Sequence, residues 1–138
     1  LFKIEQAKSL DYPVKVGLGT DVGAGTSFSM LQTTNEAYKV AQVRHQKLSP
    51  FKALFLVTLG GARALALGDI LGSFEPGKEA DFVVLNPQAT PLMALRNPQP
   101  TASTLEALTE LAFSLVIMGD DRTVAATYVM GELAWAQE

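Results

Sequence analysis

The stretch VKVGLGTDVGAGTS, residues 14–27, carries the clearest fold signal of this chain. Val14, Val16 and Leu18 alternate with more polar or smaller residues, a pattern typical of a β-strand. A glycine-rich turn follows, and serine and threonine residues after it can cap a helix. The stretch therefore predicts a strand, a loop and a helix in succession.

One carboxylate, Asp21, stands in this loop. It follows a predicted strand that leads into a helix, which is where barrel enzymes carry their catalytic groups. The alternative is a structural role, in which Asp21 fixes its own loop through an Asx turn. The local sequence supports both hypotheses equally, because one carboxylate cannot form a metal site alone.

The flanking sequence predicts several helices. Their expected spans are residues 1–10, 28–44, 50–57, 59–67 and 103–118. The expected caps are Thr26 or Ser27, Ser49 followed by Pro50, Thr58, and the capping box Ser103 to Glu106. Gly68 should end the fourth helix. Gly60 and Gly61 are costly inside a helix, which indicates close packing against another backbone.

Three strands are predicted in the second half of the chain. Residues 82–85 form a continuous apolar run, typical of a strand buried on both faces. Residues 124–129 and 133–135 are expected to form a hairpin. Residues 75–78 read as a type II turn, and the proline-rich residues 86–102 as an ordered surface loop.

Composition excludes several classes of protein. The 138-residue chain is 48% hydrophobic and carries a net charge of −3, so it has neither the basic footprint of a nucleic-acid binder nor attraction for an anionic membrane. No apolar run approaches the roughly 18 to 20 residues that span a bilayer. Because no secretory signal is visible, we expect a cytoplasmic protein.

Few other residues offer chemistry. The absence of cysteine excludes thiolate metal sites, and the glycine-rich loop lacks the lysine of a P-loop. His45, the single histidine, reads as a solvated residue at a helix end. The Asp120-Asp121-Arg122 cluster is expected to form a surface or inter-domain ion pair, and Asp81 to close a turn.

Longer motifs resemble guanine deaminases of the metal-dependent amidohydrolase superfamily. The matching segments are GLGTDV at 17–22, GAGTSFSML at 23–31, TLGGARALAL at 58–67, GSFEPGKEADFVVLNP at 72–87 and MGDDR at 118–122. They cover nearly the whole chain in order. The segment at 72–87 resembles many amidohydrolases, whereas the loop after Asp21 and the GDDR segment are similar to guanine deaminases more narrowly.

The resemblance implies a fold and a role for Asp21. It implies an α/β chain in which residues 1–68 form the last β/α unit or units of a TIM-type barrel. Residues 69–138 would then supply the C-terminal part of a small β-sandwich, with the helix at 103–118 returning to the barrel. Asp21 would ligate zinc and help to move a proton during the hydrolysis of guanine to xanthine and ammonia.

The family's histidine ligands and proton-shuttling glutamate have no counterpart in this sequence. We therefore expect the C-terminal portion of a guanine deaminase, inactive alone and homodimeric when complete. Two alternatives remain open: a non-catalytic α/β interaction module, or a fragment of another purine or cytosine deaminase. Apolar surface left by missing neighbours predicts oligomerisation or domain swapping of the isolated chain.

Overall fold

The computed structural model describes residues 3–9, 11 and 13–138. The α-helices are α1 (Ile4–Ala7), α2 (Met30–Val43), α3 (Pro50–Val57), α4 (Leu59–Ala64), α5 (Pro91–Arg96) and α6 (Leu105–Met118). A 3₁₀ turn covers Asp121–Thr123, and the strands are β1 (Phe82–Leu85), β2 (Val124–Val129) and β3 (Glu132–Ala136). The prediction of a first helix over 1–10 lies partly outside the described residues. No helix in the described part of the chain is long and apolar enough to cross a membrane.

The helices α2, α3 and α6 pack together around the main apolar core. The buried members of this core are Ile4, Ala41, Leu48, Ala53, Leu56 and Val116. Tyr38 of α2 meets Phe113 of α6 edge to face, with ring centroids 5.4 Å apart. This arrangement places the helix predicted at 103–118 against the helix that follows the Asp21 loop.

The helix α3 begins as predicted. The Ser49 side chain accepts a hydrogen bond from the Lys52 backbone N–H, and Pro50 occupies the first turn. Thr58 precedes α4 but does not cap it with its side chain, because its hydroxyl donates back to the Leu54 carbonyl at 2.8 Å. The prediction that Thr58 caps α4 was wrong for this reason.

The helix α4 ends earlier than predicted. Its last residue is Ala64, and Ala66 adopts a left-handed φ of 61°, so the chain has turned before Gly68. The Leu67 N–H donates to the Ala62 carbonyl at 2.8 Å, which satisfies one of the carbonyls at the helix end. The terminating glycine expected at 68 is therefore not the residue that ends the helix.

The three strands form an antiparallel sheet in the order β1-β2-β3. The predicted hairpin is confirmed: Met130 and Gly131 join β2 to β3 with φ values of 51° and 81°, the positive values that tight hairpin turns require. The Asp81 carboxylate accepts a hydrogen bond from the Met130 N–H at 2.8 Å. Asp81 thus holds a turn as expected, although the turn belongs to the β2–β3 hairpin.

The prediction that β1 is buried on both faces was wrong. Val83 is 50% exposed and Val84 is 44% exposed. Among the described residues β1 is hydrogen-bonded only to β2, and its two central side chains point to opposite faces of the sheet. Phe82 is better covered, because its ring stacks on Tyr128 with centroids 4.5 Å apart.

The segment joining α4 to β1 contains the predicted type II turn. The Lys78 N–H donates to the Glu75 carbonyl at 3.2 Å, and Gly77 has a φ of 94°, which confirms the turn. The Lys78 ammonium is almost buried and contacts three oxygens, those of the Gly68 carbonyl, the Ser73 hydroxyl and the Glu75 carboxylate. That ammonium lowers the pKa of the Glu75 carboxyl.

Two predictions around α6 need correction. The segment 86–102 is not all loop, because Thr90 and Pro91 start the helix α5, with the Thr90 hydroxyl accepting from the Met93 N–H. The cap of α6 is Thr104 rather than Ser103: its hydroxyl accepts from the Ala107 N–H at 3.1 Å. Gly119 ends α6 as predicted.

Candidate functional site

The segment before Asp21 forms no strand in the described part of the chain. A strand needs a neighbour to exchange backbone hydrogen bonds, and no described strand lies beside residues 14–18. Two isolated bonds hold the segment instead: the Val14 N–H donates to the Ala7 carbonyl at 2.8 Å, and the Leu18 N–H to the Leu56 carbonyl at 3.0 Å. The predicted strand at 14–18 is thus not assigned.

The same segment packs on the helices through its backbone as well as its side chains. Val16 and Leu18 lie against the buried core cluster. Gly17 approaches α4 so closely that a Cβ atom added to it would lie 2.7 Å from the Gly61 Cα. The expected close approach of a backbone to the glycine pair of α4 is confirmed at Gly61.

Asp21 occupies the tight turn of the glycine-rich loop. It adopts a left-handed φ of 49°, which aspartate tolerates better than most residues. Its backbone carbonyl accepts hydrogen bonds from the Ala24 N–H at 3.0 Å and the Gly25 N–H at 2.5 Å. The turn is therefore closed by the main chain of Asp21 and not by its side chain.

The Asp21 carboxylate has no hydrogen-bond or ion-pair partner among the described residues, and the residue is exposed. The Asx-turn hypothesis required this carboxylate to bind its own loop, which it does not do. The side chain therefore has no structural task that the described chain reveals. It can accept a ligand or a proton from outside the loop.

Contacts with the backbone fix the rest of the loop. A Cβ atom added to Gly25 would overlap the Thr20 carbonyl oxygen, so only glycine fits there. The Ser27 hydroxyl accepts from the Ser29 N–H at 2.9 Å, and the Ser29 hydroxyl in turn accepts from the Gln32 N–H. Ser29 is the cap of α2, not Thr26 or Ser27 as predicted, because the loop takes two residues more before the helix starts.

The described residues do not assemble a complete metal site. No group of three or more histidine, aspartate or glutamate side chains lies together in residues 3–9, 11 and 13–138. The oxygen donors of Asp21 suit zinc as one ligand, whereas structural and catalytic zinc sites take three or four protein ligands. The described residues are therefore consistent with supplying one ligand, Asp21, to a zinc site.

The other sequence candidates lie at a helix end and in a 3₁₀ turn. His45 is exposed just beyond the end of α2, as expected, with a left-handed φ of 56°. Asp120 and Arg122 form an ion pair of 2.6 Å, and the Asp120 side chain also caps the 3₁₀ turn. The hydrogen bonds from Arg122 lower the pKa of the Asp120 carboxyl. The ion-pair prediction for this cluster is confirmed.

A shallow groove is lined by the loop after Asp21, the start of α2 and the 3₁₀ turn. It has a volume of about 230 Å³ and is lined by Ser27, Phe28, Ser29, Gln32 and Asp121. The structure thus brings Asp121 near the start of α2, a proximity that the sequence did not indicate.

Two asparagines with buried side-chain polar atoms were missed, of which Asn35 is half-buried and Asn97 is buried. The Asn35 side-chain amide donates to the Ile117 carbonyl at 2.7 Å and joins α2 to α6, while its Oδ1 is buried without a partner among the described residues. Asn97 donates to the Pro87 carbonyl and the Ser114 hydroxyl, both at 2.8 Å. Ser114 is an isolated polar residue on an otherwise apolar face of α6, and this pattern could have indicated a buried hydrogen bond there.

Comparisons with known proteins agree on one family. The family model described as "Amidohydrolase family" matches residues 4–134. A curated guanine deaminase of Escherichia coli (strain K12) is 51% identical over 128 residues, which is 93% of this chain and 28% of that protein. The chain therefore spans less than a third of the length of this relative.

Solved structures give the same result. The structure of E. coli guanine deaminase superposes with a TM-score of 0.89 at 48% identity, covering 100% of this chain and 31% of the other. An adenosine deaminase from Xanthomonas campestris with bound zinc gives a TM-score of 0.59 at 29% identity, covering 78% of this chain and 22% of the other. The fold of the described residues is thus shared with longer deaminases.

Proposed function

The chain belongs to the amidohydrolase family, and we propose that it is the C-terminal portion of a guanine deaminase. The complete protein hydrolyses guanine to xanthine and ammonia. The observation that carries this proposal is the 51% identity to a guanine deaminase over 93% of the chain. An adenosine deaminase is a more distant structural neighbour, at 29% identity over 78% of the chain.

We assign the two parts of the chain to different parts of the complete enzyme. Residues 1–68 supply the last β/α unit or units of a TIM-type barrel, and residues 69–138 supply strands of a β-sandwich. The packing of α6 against α2 and α3 supports a helix that returns to the barrel. In the complete enzyme, residues 14–18 become a strand, because a neighbouring strand there supplies the missing backbone hydrogen bonds.

Asp21 is the residue to which we assign the chemistry. Its carboxylate acts as one zinc ligand and accepts a proton from the attacking water. Zinc, when bound, lowers the pKa of water to about 7 and so provides a nucleophile at neutral pH. Support comes from a carboxylate that has no partner among the described residues and from a zinc-bound structural neighbour.

The remaining ligands and the groups that contact guanine belong to the rest of the complete protein, because the described residues offer no metal cluster. The isolated chain is accordingly inactive. We further propose that the complete enzyme is a cytoplasmic homodimer without nucleic-acid or membrane partners, which agrees with the net charge of −3.

The test compares wild-type and Asp21→Ala forms of the complete protein that contains this chain. We expect Asp21→Ala to lose tight zinc binding and to lower kcat for guanine by about 10²- to 10⁴-fold, the range for removing a proton-transfer group. Asp69→Ala is the control, because Asp69 is also exposed and its side chain has no partner among the described residues. Zinc content is measured by elemental analysis and turnover by xanthine formation.

Three outcomes decide the proposal. Loss of zinc and turnover in Asp21→Ala, with both retained in Asp69→Ala, supports it. Full zinc content and turnover in Asp21→Ala would overturn the role of Asp21. Turnover by the isolated 138-residue chain would show that it builds a metal site of its own and would contradict the assignment of the other ligands to the rest of the protein.

A further inference from the structure

We infer that Gly17 is a positioning residue for Asp21, acting through its backbone contact with Gly61 of α4. The inference rests on the proposed function, because it assumes that the Asp21 carboxylate must reach a defined place. Gly17 contacts neither substrate nor metal in this account. It sets how closely residues 14–18 pack against the helices, and so where the loop begins.

The backbones of Gly17 and Gly61 lie very close together. A Cβ atom on Gly17 would lie 2.7 Å from the Gly61 Cα, 3.4 Å from the Gly61 nitrogen and 3.5 Å from the Leu56 carbonyl oxygen. The atoms it would meet are all main-chain atoms, which cannot rotate away as a flexible side chain can. Any larger residue at 17 must therefore move the segment away from α4 or move α4 itself.

Leu18 also packs against the core, but the backbone between Gly17 and Asp21 makes only one long-range hydrogen bond among the described residues. The Leu18 N–H donates to the Leu56 carbonyl at 3.0 Å, at the same corner between α3 and α4. Beyond Leu18 the described chain shows no further long-range backbone bond before Asp21. A displacement at Gly17 consequently passes to Asp21 through only Leu18, Gly19 and Thr20.

Gly19 differs from Gly17 in the space around it. Gly19 is two residues closer to Asp21, yet a Cβ atom added there would meet no atom of the described residues within 4 Å. Gly19 also lies outside the left-handed φ region, so alanine is not strained there. Gly17→Ala and Gly19→Ala are the same chemical change, and only the first must displace the segment.

The experiment uses the complete protein that contains this chain. We expect Gly17→Ala to weaken zinc affinity by about 10- to 100-fold, the range for losing groups that orient a metal ligand, and to lower kcat with it. Gly19→Ala should keep both near the wild-type values. Equal zinc affinity and kcat in the two variants would overturn the inference.

A destabilised control separates positioning from a general loss of stability. Asn97→Ala removes the hydrogen bonds that Asn97, just after α5, donates to the Pro87 carbonyl and to the Ser114 hydroxyl of α6, away from the contact of Gly17 with α4. It should lower Tm and leave the zinc affinity of the folded protein unchanged. If Asn97→Ala weakens zinc binding as much as Gly17→Ala at a similar loss of Tm, the effect of Gly17 is general and the inference fails.

A rescue experiment distinguishes positioning of Asp21 from a purely structural role of Gly17. Asp21→Glu lengthens the side chain by one methylene group, so it should lower zinc affinity less in the Gly17→Ala background than in wild type. Additive losses in this double-mutant cycle would contradict a positional effect. Failure of the proposed function is distinguishable, because Asp21→Ala alone would then retain zinc binding whatever the Gly17 variants do.

A milder variant serves if Gly17→Ala does not fold. Gly61→Ala alters the same corner from the helix side, where its Cβ would lie 3.3 Å from the Leu56 carbonyl oxygen that accepts the Leu18 N–H. Alanine also favours the helix over glycine, so Tm should not fall. We expect weaker zinc binding at unchanged Tm, and wild-type zinc affinity in Gly61→Ala would overturn the inference.

Discussion

Three aspartates of this chain differ in what their carboxylates do. Asp81 accepts the Met130 N–H, and Asp120 accepts hydrogen bonds from Arg122 while it caps a turn. The Asp21 carboxylate has no partner among the described residues, although its backbone closes a turn. Asp69 also has an exposed carboxylate without a described partner, so what singles out Asp21 is its place in the glycine-rich loop that leads into α2.

Asp120 offers a pH-dependent prediction. Its pKa is lowered in the folded chain, mainly by hydrogen bonds from Arg122, so its stabilising effect is complete above the ordinary value of 3.8. The effect is lost as the pH falls from there through the lowered pKa. We expect Asp120→Asn to reduce the free energy of unfolding at pH 7 and to approach wild type in strong acid.

The measurement is urea denaturation of both proteins across this pH range. Asparagine is as good a cap as aspartate, so Asp120→Asn isolates the charge, whereas Asp120→Ala should cost about 1 kcal/mol more by removing the cap. Asp69→Asn is the control, since the Asp69 side chain has no described partner. A difference between wild type and Asp120→Asn that grows in acid would contradict the assignment.

Sequence reasoning at the residue scale found the ion pair and the exposed histidine but not the buried amides. Asp120 and Arg122 are two residues apart, so their pairing is a local property. Asn35 meets Ile117 across 82 positions of the chain, and that contact depends on how α2 packs against α6. The close approach of a backbone to Gly61 could be predicted, whereas its partner Gly17 could not, because the pair is also set by packing.

At the scale of elements, the helix α6 shows how local signals compete. Both Ser103 and Thr104 are good caps, and the capping-box pattern favours Ser103. The structure uses Thr104, whose hydroxyl accepts from the Ala107 N–H. The extended backbone of Thr104, with φ of −128° and ψ of 158°, is the conformation that a cap residue adopts.

This choice predicts different effects for two adjacent substitutions. Thr104→Ala should weaken the first turn of α6 by about 1 kcal/mol, which corresponds to about fivefold faster hydrogen exchange where the turn opens locally. Ser103→Ala should leave exchange unchanged, because its side chain makes no described hydrogen bond to the helix. Exchange of the Ala107 amide is the readout, and equal acceleration in both variants would restore Ser103 as the cap.

The strands show what a single segment cannot specify. Alternation predicts a strand at residues 14–18, where the structure has none, whereas the apolar run correctly predicts the strand β1. Neither pattern supplies the neighbours that would turn 14–18 into a strand or cover Val83 and Val84. Local sequence therefore predicted the strand β1 but not the state of residues 14–18, because pairing and burial depend on other parts of the fold.

For the whole molecule, one face of the sheet carries exposed apolar side chains. Val83 pairs with Thr127, and Thr127 pairs with Trp135, so the three side chains share one face. Val83 and Trp135 are each about half exposed. Exposed apolar side chains on a sheet that retains open edges favour association between chains.

The isolated 138-residue chain should therefore self-associate through this sheet. We expect its average mass in sedimentation velocity to rise with concentration, because burying Val83 and Trp135 against another copy removes apolar surface from water. Val83→Thr keeps a β-branched residue but adds a hydroxyl, and should shift association to higher concentration. Val14→Thr, the same change at an exposed valine outside the sheet, should not. A chain that stays monomeric at every concentration would contradict association through the sheet. Equal shifts in the concentration needed for association in Val83→Thr and Val14→Thr would place the contact outside the sheet.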